Sequence, residues 1–109
     1  MEEVVLCAAS VYEKKYYLNP LFERLPEAVK TELHIMCVLF TEEVGGIISL
    51  IFDNEGSLRL EVSAKENDLL FDEIGSDLKI KKIKEEKKEL FNSIELYYKV
   101  VILKEHVDL

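Results

Sequence analysis

Cysteine is scarce in this chain, and the scarcity excludes a disulfide framework. Cys7 and Cys37 are the two thiols among 109 residues, where small secreted domains carry four or more. Basic charge is in short supply as well. Fourteen lysines and arginines face 22 acids, giving a net charge of −8, so the surrounding field repels phosphate backbones and anionic lipid surfaces. Nucleic acid and membrane are thereby disfavoured as partners. No apolar run approaches the roughly 18 residues of a membrane span. At the amino terminus Glu2 and Glu3 stand where a secretion signal is basic, and the apolar run from Val4 to Ala9 is too short for its core. Leu6 before Cys7 lacks the small side chain that lipoprotein cleavage prefers. A reducing, cytoplasmic compartment is the expectation.

Proline is confined to Pro20 and Pro26, no period repeats and no stretch is low in complexity. Nothing marks a linker, so residues 1–109 are expected to form one domain. An apolar share of 49% beside 33% charged residues suffices for a core held without disulfide or metal.

Familiar catalytic signatures are missing. There is no G-x-S-x-G, Walker A or G-x-G-x-x-G pattern and no Ser-His-Asp order. Cys7, His34, Cys37 and His106 add up to four zinc-ligand types, yet they include no C-x-x-C or H-x-x-x-H pair. A nucleophilic cysteine needs a lowered pKa, whereas the apolar neighbours of Cys37 raise it. No catalytic residue, metal centre or cofactor follows from these residues, and an enzyme is the less favoured reading.

What is present reads as alternating strands and helices. Residues 3–10 (EVVLCAAS) form a strand, and 12–19 (YEKKYYLN) a turn on charged residues followed by a second strand, because aromatic and β-branched side chains suit a pleated surface. Leu25-Pro26-Glu27 begins a helix over 27–44 whose Val29, Leu33, Met36, Cys37, Phe40 and Val44 recur at helical spacing, with Gly45-Gly46 as its left-handed stop. Ile35, Val38 and Leu39 widen its apolar stripe. Such a helix needs cover on more than one side, or residues 33–41 are a buried strand instead. IISLIFD (47–53) and SLRLEVS (57–63) pair around the turn Asp53, Asn54, Gly56. A short helix capped by Asn67 or Asp68 then breaks near Gly75. From Ser76 or Asp77 a long helix carries Ile80, Ile83, Leu90, Phe91, Ile94, Tyr98 and Val101 on one face, with 100–103 as an alternative last strand. The sum is an α+β fold: an antiparallel sheet of about four strands, from 3–18 and 47–63, against two or three helices.

Two sets of residues stand out as candidate sites. Glu42 and Glu43 beside Gly45-Gly46, together with Asp72, Glu73 and Ser76 around the second glycine junction, offer carboxylates and backbone amides to a small molecule or metal ion. Tyr16-Tyr17 and Tyr97-Tyr98 turn one ring of each pair inward and leave one for an interface. KIKKIKEEKK (79–88) concentrates six lysines, but Ile80 and Ile83 belong to the core face and Glu85 and Glu86 interrupt the charge, so a solvated face laced with i,i+4 pairs is expected.

LCAASVYEKKYYLNPLFERLP, LHIMCVLFTEEVGGIISLIFDNEG, and DLLFDEIGSDL followed by ELFNSIELYYKVVIL together resemble a small family of uncharacterised cytoplasmic proteins from Clostridia and related Firmicutes, classed as a domain of unknown function. TEEVGG and DEIGS are its most specific pieces. The resemblance implies a bacterial source and one domain, and brings no activity, substrate or catalytic residue. The element order is also similar to small α+β regulatory domains of the roadblock type, which often dimerise. Two functions are expected from these features. The first is a non-enzymatic interaction or regulatory module that self-associates as a dimer or takes a protein partner. The second is a small-molecule or metal-ion binding protein, possibly enzymatic, using the acids near Gly45-Gly46 and Asp72–Ser76.

Overall fold

The computed structural model describes residues 3–104; His106 lies outside them. Strand β1 (Val4–Ser10) carries one residue more than its neighbour β3 (Ile47–Phe52) can match. Val5 pairs with Ile51 and Cys7 with Leu50, so Leu6 bulges. A bulge turns two consecutive side chains to one face, and here Leu6 and Cys7 are both wholly buried. The carbonyls that it frees are not left bare: Asn19 donates its backbone N–H to Leu6 O at 3.0 Å and its side-chain amide to Val5 O at 2.7 Å.

β2 (Lys15–Leu18) pairs antiparallel with the outer edge of β1, and β4 (Leu58–Ser63) with the far side of β3. The antiparallel order is therefore β2-β1-β3-β4. As a central strand β3 buries Ile48, Leu50 and Phe52 completely, and Ile47, Ser49 and Ile51 are half-buried on its other face. The β3–β4 turn forms as expected: Asp53 Oδ1 accepts from the backbone N–H of Glu55 and Ser57 at 2.9 and 3.0 Å, and Gly56 sits at φ +83°.

Residues 33–41 are helical. Helix α1 (Glu27–Val44) lays Leu33, Met36, Cys37, Phe40, Thr41 and Val44 against the sheet and ends on Gly45, whose N–H reaches Thr41 O at 2.9 Å. Ile35 and Leu39, the residues that widened its stripe, are about half-exposed.

The carboxy-terminal half departs from expectation in two places. No helix forms over 67–72. Asn67 takes the left-handed φ of +65°, Asp68 serves a turn, and the helix cap is Asp72, whose Oδ1 accepts from Gly75 N–H at 2.8 Å. Helix α2 (Glu73–Glu86) thus starts earlier than Ser76 or Asp77. The long helix is also broken at Lys87, beyond which α3 (Lys88–Tyr97) and a π-helical segment (Tyr98–Leu103) follow, so 100–103 is helical. The break lets α2 lie along α1, tied by Lys79 to Glu43 and by Lys87 to Glu32 at 2.7 Å. α3 instead turns Phe91 and Ile94 into the core and delivers Glu95 to the N–H of Leu58 at 2.6 Å. Tyr98 stacks on Phe52 at 4.0 Å between ring centroids, and Phe22 joins them at 5.5 and 6.1 Å. Among the described residues no helix is long and apolar enough to cross a membrane.

Candidate functional site

Residues 64–72 cross from β4 to α2 without regular structure, yet polar contacts hold them in place. Tyr12 donates its hydroxyl to Asp68 Oδ2 at 2.5 Å and accepts the N–H of Lys65 at 2.9 Å, while the Lys65 ammonium lies 4.6 Å above its ring. Asp68 Oδ1 takes the N–H of Leu70 at 2.9 Å. The Tyr12 hydroxyl, followed by that N–H, holds the Asp68 carboxyl below its ordinary range, because both favour the ionised form. Further along, Asp72 N–H reaches Val44 O at 2.9 Å, and the Phe71 ring lies against Gly46.

This pinned segment presents apolar side chains to solvent. Leu69 is 95% exposed, Leu70 91%, Ile74 76% and Leu78 64%. Ile74 and Leu78, four residues apart in α2, share its outer face. Scattered exposed apolar residues need no explanation, but a contiguous set on an ordered segment marks an interaction surface. In the sequence, Leu69 to Phe71 read as the interior of a short helix, and no signal set them apart from core leucines.

The acids near the glycines are brought together by backbone and then put to separate uses. The Asp72-to-Val44 hydrogen bond joins the end of α1 to the start of α2, and Gly45 lies close to Phe71. Glu43 is paired with Lys79, Asp72 caps α2, and Ser76 is buried with its N–H on Asp72 O at 2.8 Å. Glu73 points to solvent. Glu42 stands apart at a cleft of about 400 Å³ between the β1–β2 hairpin and α1, with Lys14, Lys15, Tyr16, His34 and Thr41 around it. Among the described residues no three His, Cys, Asp or Glu side chains are grouped to hold a metal ion.

The tyrosine pairs differ as well. Tyr17 is half-exposed on β2, whereas Tyr16 stacks flat on His34 at 4.4 Å and buries a hydroxyl with no hydrogen-bond partner among the described residues. Burial first, then the Cys7 and Cys37 sulfurs, raises the pKa of Tyr16. Tyr98 is a core residue, and the Tyr97 hydroxyl is buried without a partner among the described residues. Behind Tyr16 the sulfurs of Cys7 and Cys37 lie 3.9 Å apart, both wholly buried. The neighbouring sulfur and burial push the Cys37 thiol up, so Cys37 stays protonated. A second cleft, about 560 Å³, runs between α1 and α2 over Ile35, Met36, Leu39 and Ile83.

The lysines of 79–88 make no ion pair within α2 among the described residues. Lys79 and Lys87 reach across to α1 instead, correcting the expected i,i+4 lacing.

A match to the family described as "Family of unknown function (DUF6145)" covers residues 3–106. The chain belongs to that family. The match takes in every element of the fold, from β1 to the π-helical segment, and assigns no chemistry to any of them. No curated protein and no solved structure matches the chain.

Proposed function

We propose that this chain is a non-enzymatic interaction module of a bacterial cytoplasm, of clostridial or related Firmicute origin, that works as a homodimer. The observation carrying this reading is the pinned segment whose Leu69, Leu70, Ile74 and Leu78 lie open to solvent. Burying such a side chain is worth about 1.5–3 kcal/mol. Eight of them, four from each copy, are thus of the size needed to offset the roughly 4–15 kcal/mol that association costs. Half-exposed Ile35, Leu39 and Tyr17 add apolar area elsewhere. The charge of −8 favours protein over nucleic acid or anionic membrane as partner. The two unpaired thiols suit a reducing compartment, and the family resemblance supports the bacterial source.

Sedimentation velocity on the full chain, from about 1 to about 200 µM, tests the reading. A dimer is expected, and Leu69→Ser/Leu70→Ser should weaken it while shifting unfolding stability by no more than about 0.5 kcal/mol. A chain that stays monomeric across the whole range is not a self-associating module.

One observation favours a second reading, a small-molecule or metal-ion binder: the 400 Å³ cleft where Glu42 meets two lysines, His34 and Tyr16. Native mass spectrometry of the untagged chain would show a bound mass. Changing Glu42, Glu43, Asp72 and Glu73 to amides should abolish the accompanying thermal stabilisation, and stabilisation that survives those changes places the ligand elsewhere.

A further inference from the structure

The outer face of α2 is sorted by charge. Residues 66–77 contain five acids, Glu66, Asp68, Asp72, Glu73 and Asp77, and no base, while 79–84 contain four lysines and no acid. On the helix itself Glu73, Asp77, Lys81 and Lys84 follow at i, i+4, i+8 and i+11, one flank beside the Ile74–Leu78 stripe. None of these four forms an ion pair among the described residues. Over residues 73–84, before Glu85 and Glu86 restore acid at its end, the helix flanks an apolar stripe with acids first and lysines second, an order complementary to itself reversed.

We infer that two copies pair through antiparallel α2 helices about a two-fold axis at Leu78. This rests on the self-association reading above and assigns it a surface. An antiparallel pair sets opposite each other the positions equally far from the axis, and it keeps each flank on its own side. Leu78 then meets Leu78 of the second copy, and Ile74 covers the aliphatic stem of the second copy's Lys82, four residues to the other side. Glu73, five residues before the axis, faces Lys84, six after it, and Asp77 falls beside Lys81. Symmetry makes each of these contacts twice, except Leu78 with Leu78, which lies on the axis and is made once. A parallel two-fold pair would turn this flank toward the opposite flank of the second copy, so the Glu73–Lys84 and Asp77–Lys81 pairs arise only in the antiparallel direction. The two helix dipoles also oppose one another in the antiparallel arrangement.

Two charge reversals test the inference in the full chain. One variant carries Glu73→Lys and Asp77→Lys, the other Lys81→Glu and Lys84→Glu, with circular dichroism to confirm that each folds. Each variant alone sets like charges across the seam and should dimerise about tenfold more weakly or worse. Mixed in equal amounts they restore all four attractive pairs, and sedimentation should return the mixture to wild-type dimerisation. A wild-type dimer that neither variant weakens overturns the α2 seam and leaves self-association standing through another face. Two weakened variants whose mixture stays weak overturn the antiparallel register. A wild-type chain that is monomeric throughout overturns both this inference and the reading beneath it.

Discussion

The region where α1 meets the sheet and the segment from Ser63 to Leu78 are both ordered, but by different forces. In the first, Leu6, Cys7, Leu33, Cys37, Phe40, Ile48, Leu50 and Phe52 are all at 0% exposure. Apolar burial there is large and non-directional, and its magnitude sets the stability of the fold. In the second, the leucines are left out, and order comes from a few directional contacts: Tyr12 to Asp68, Asp68 to Leu70, Asp72 to Val44 and the Asp72 cap. Such bonds, each made at the surface where water competes for both partners, are worth little beside the burial of a core side chain. They suffice to hold a surface in position without hiding it. One region keeps the protein folded, and the other determines what it shows to a partner.

That contrast can be broken by mutation, starting in the core. Phe52→Ala removes one ring of the three-ring cluster with Phe22 and Tyr98 and should cost about 3–5 kcal/mol in urea unfolding, enough to unfold much of the population of a domain this small. A loss below about 1 kcal/mol would show that the aromatic stack is not central to the core. Gly46→Ala probes the join between the two regions. At φ +74° an added Cβ meets Ser63 O at 2.6 Å and the Phe71 ring at 2.9 Å. The strain alone is worth about 1–3 kcal/mol, and protection of the Leu70–Asp72 amides from hydrogen exchange should fall with it. The smallest effect belongs to the latch. The carboxyl of Asp68 lies below its ordinary 3.8 through its bond from Tyr12, so its contribution is complete above that pH and is lost as pH falls through the lower folded value. Asp68→Asn takes up no proton, and its melting temperature should therefore fall less steeply between about pH 5 and pH 2 than that of the wild type. Asp53, lowered by the N–H groups of Ser57 and Glu55, keeps part of the acid limb in place. Parallel acid limbs in the two proteins would mean that the latch does not tighten with ionisation.

Much of the first region was legible in the sequence, and little of the second. The core face of α1 and the β3–β4 hairpin follow from periodicity and turn residues, which are local signals. The Leu6 bulge and the β2-β1-β3-β4 order are not local, since both depend on which strand β1 meets. The break at Lys87 falls in EEKK, which contains neither glycine nor proline, and arises because α2 follows α1 while α3 must reach Phe52. Among candidate site residues, the backbone does join the Gly45 and Asp72 segments, but neighbours consume several of the side chains: Lys79 takes Glu43, and the α2 cap takes Asp72. The exposed leucines were hidden from sequence reading by a sound rule, that leucine is usually inside. Only the tether from Tyr12, fifty-six residues away from Asp68, shows why here it is not.

Gly46 has a consequence for how the leucines are displayed. The space above it is closed on one side by the carbonyl of Ser63, at the end of β4, and on the other by the ring of Phe71. The crossing that carries Leu69 and Leu70 into solvent is thus seated, next to them in the chain, on a position where nothing larger than a hydrogen fits. A surface shown to a partner and a fault in the packing beneath it are therefore one variable: whatever loosens Gly46 blurs what the outside reads.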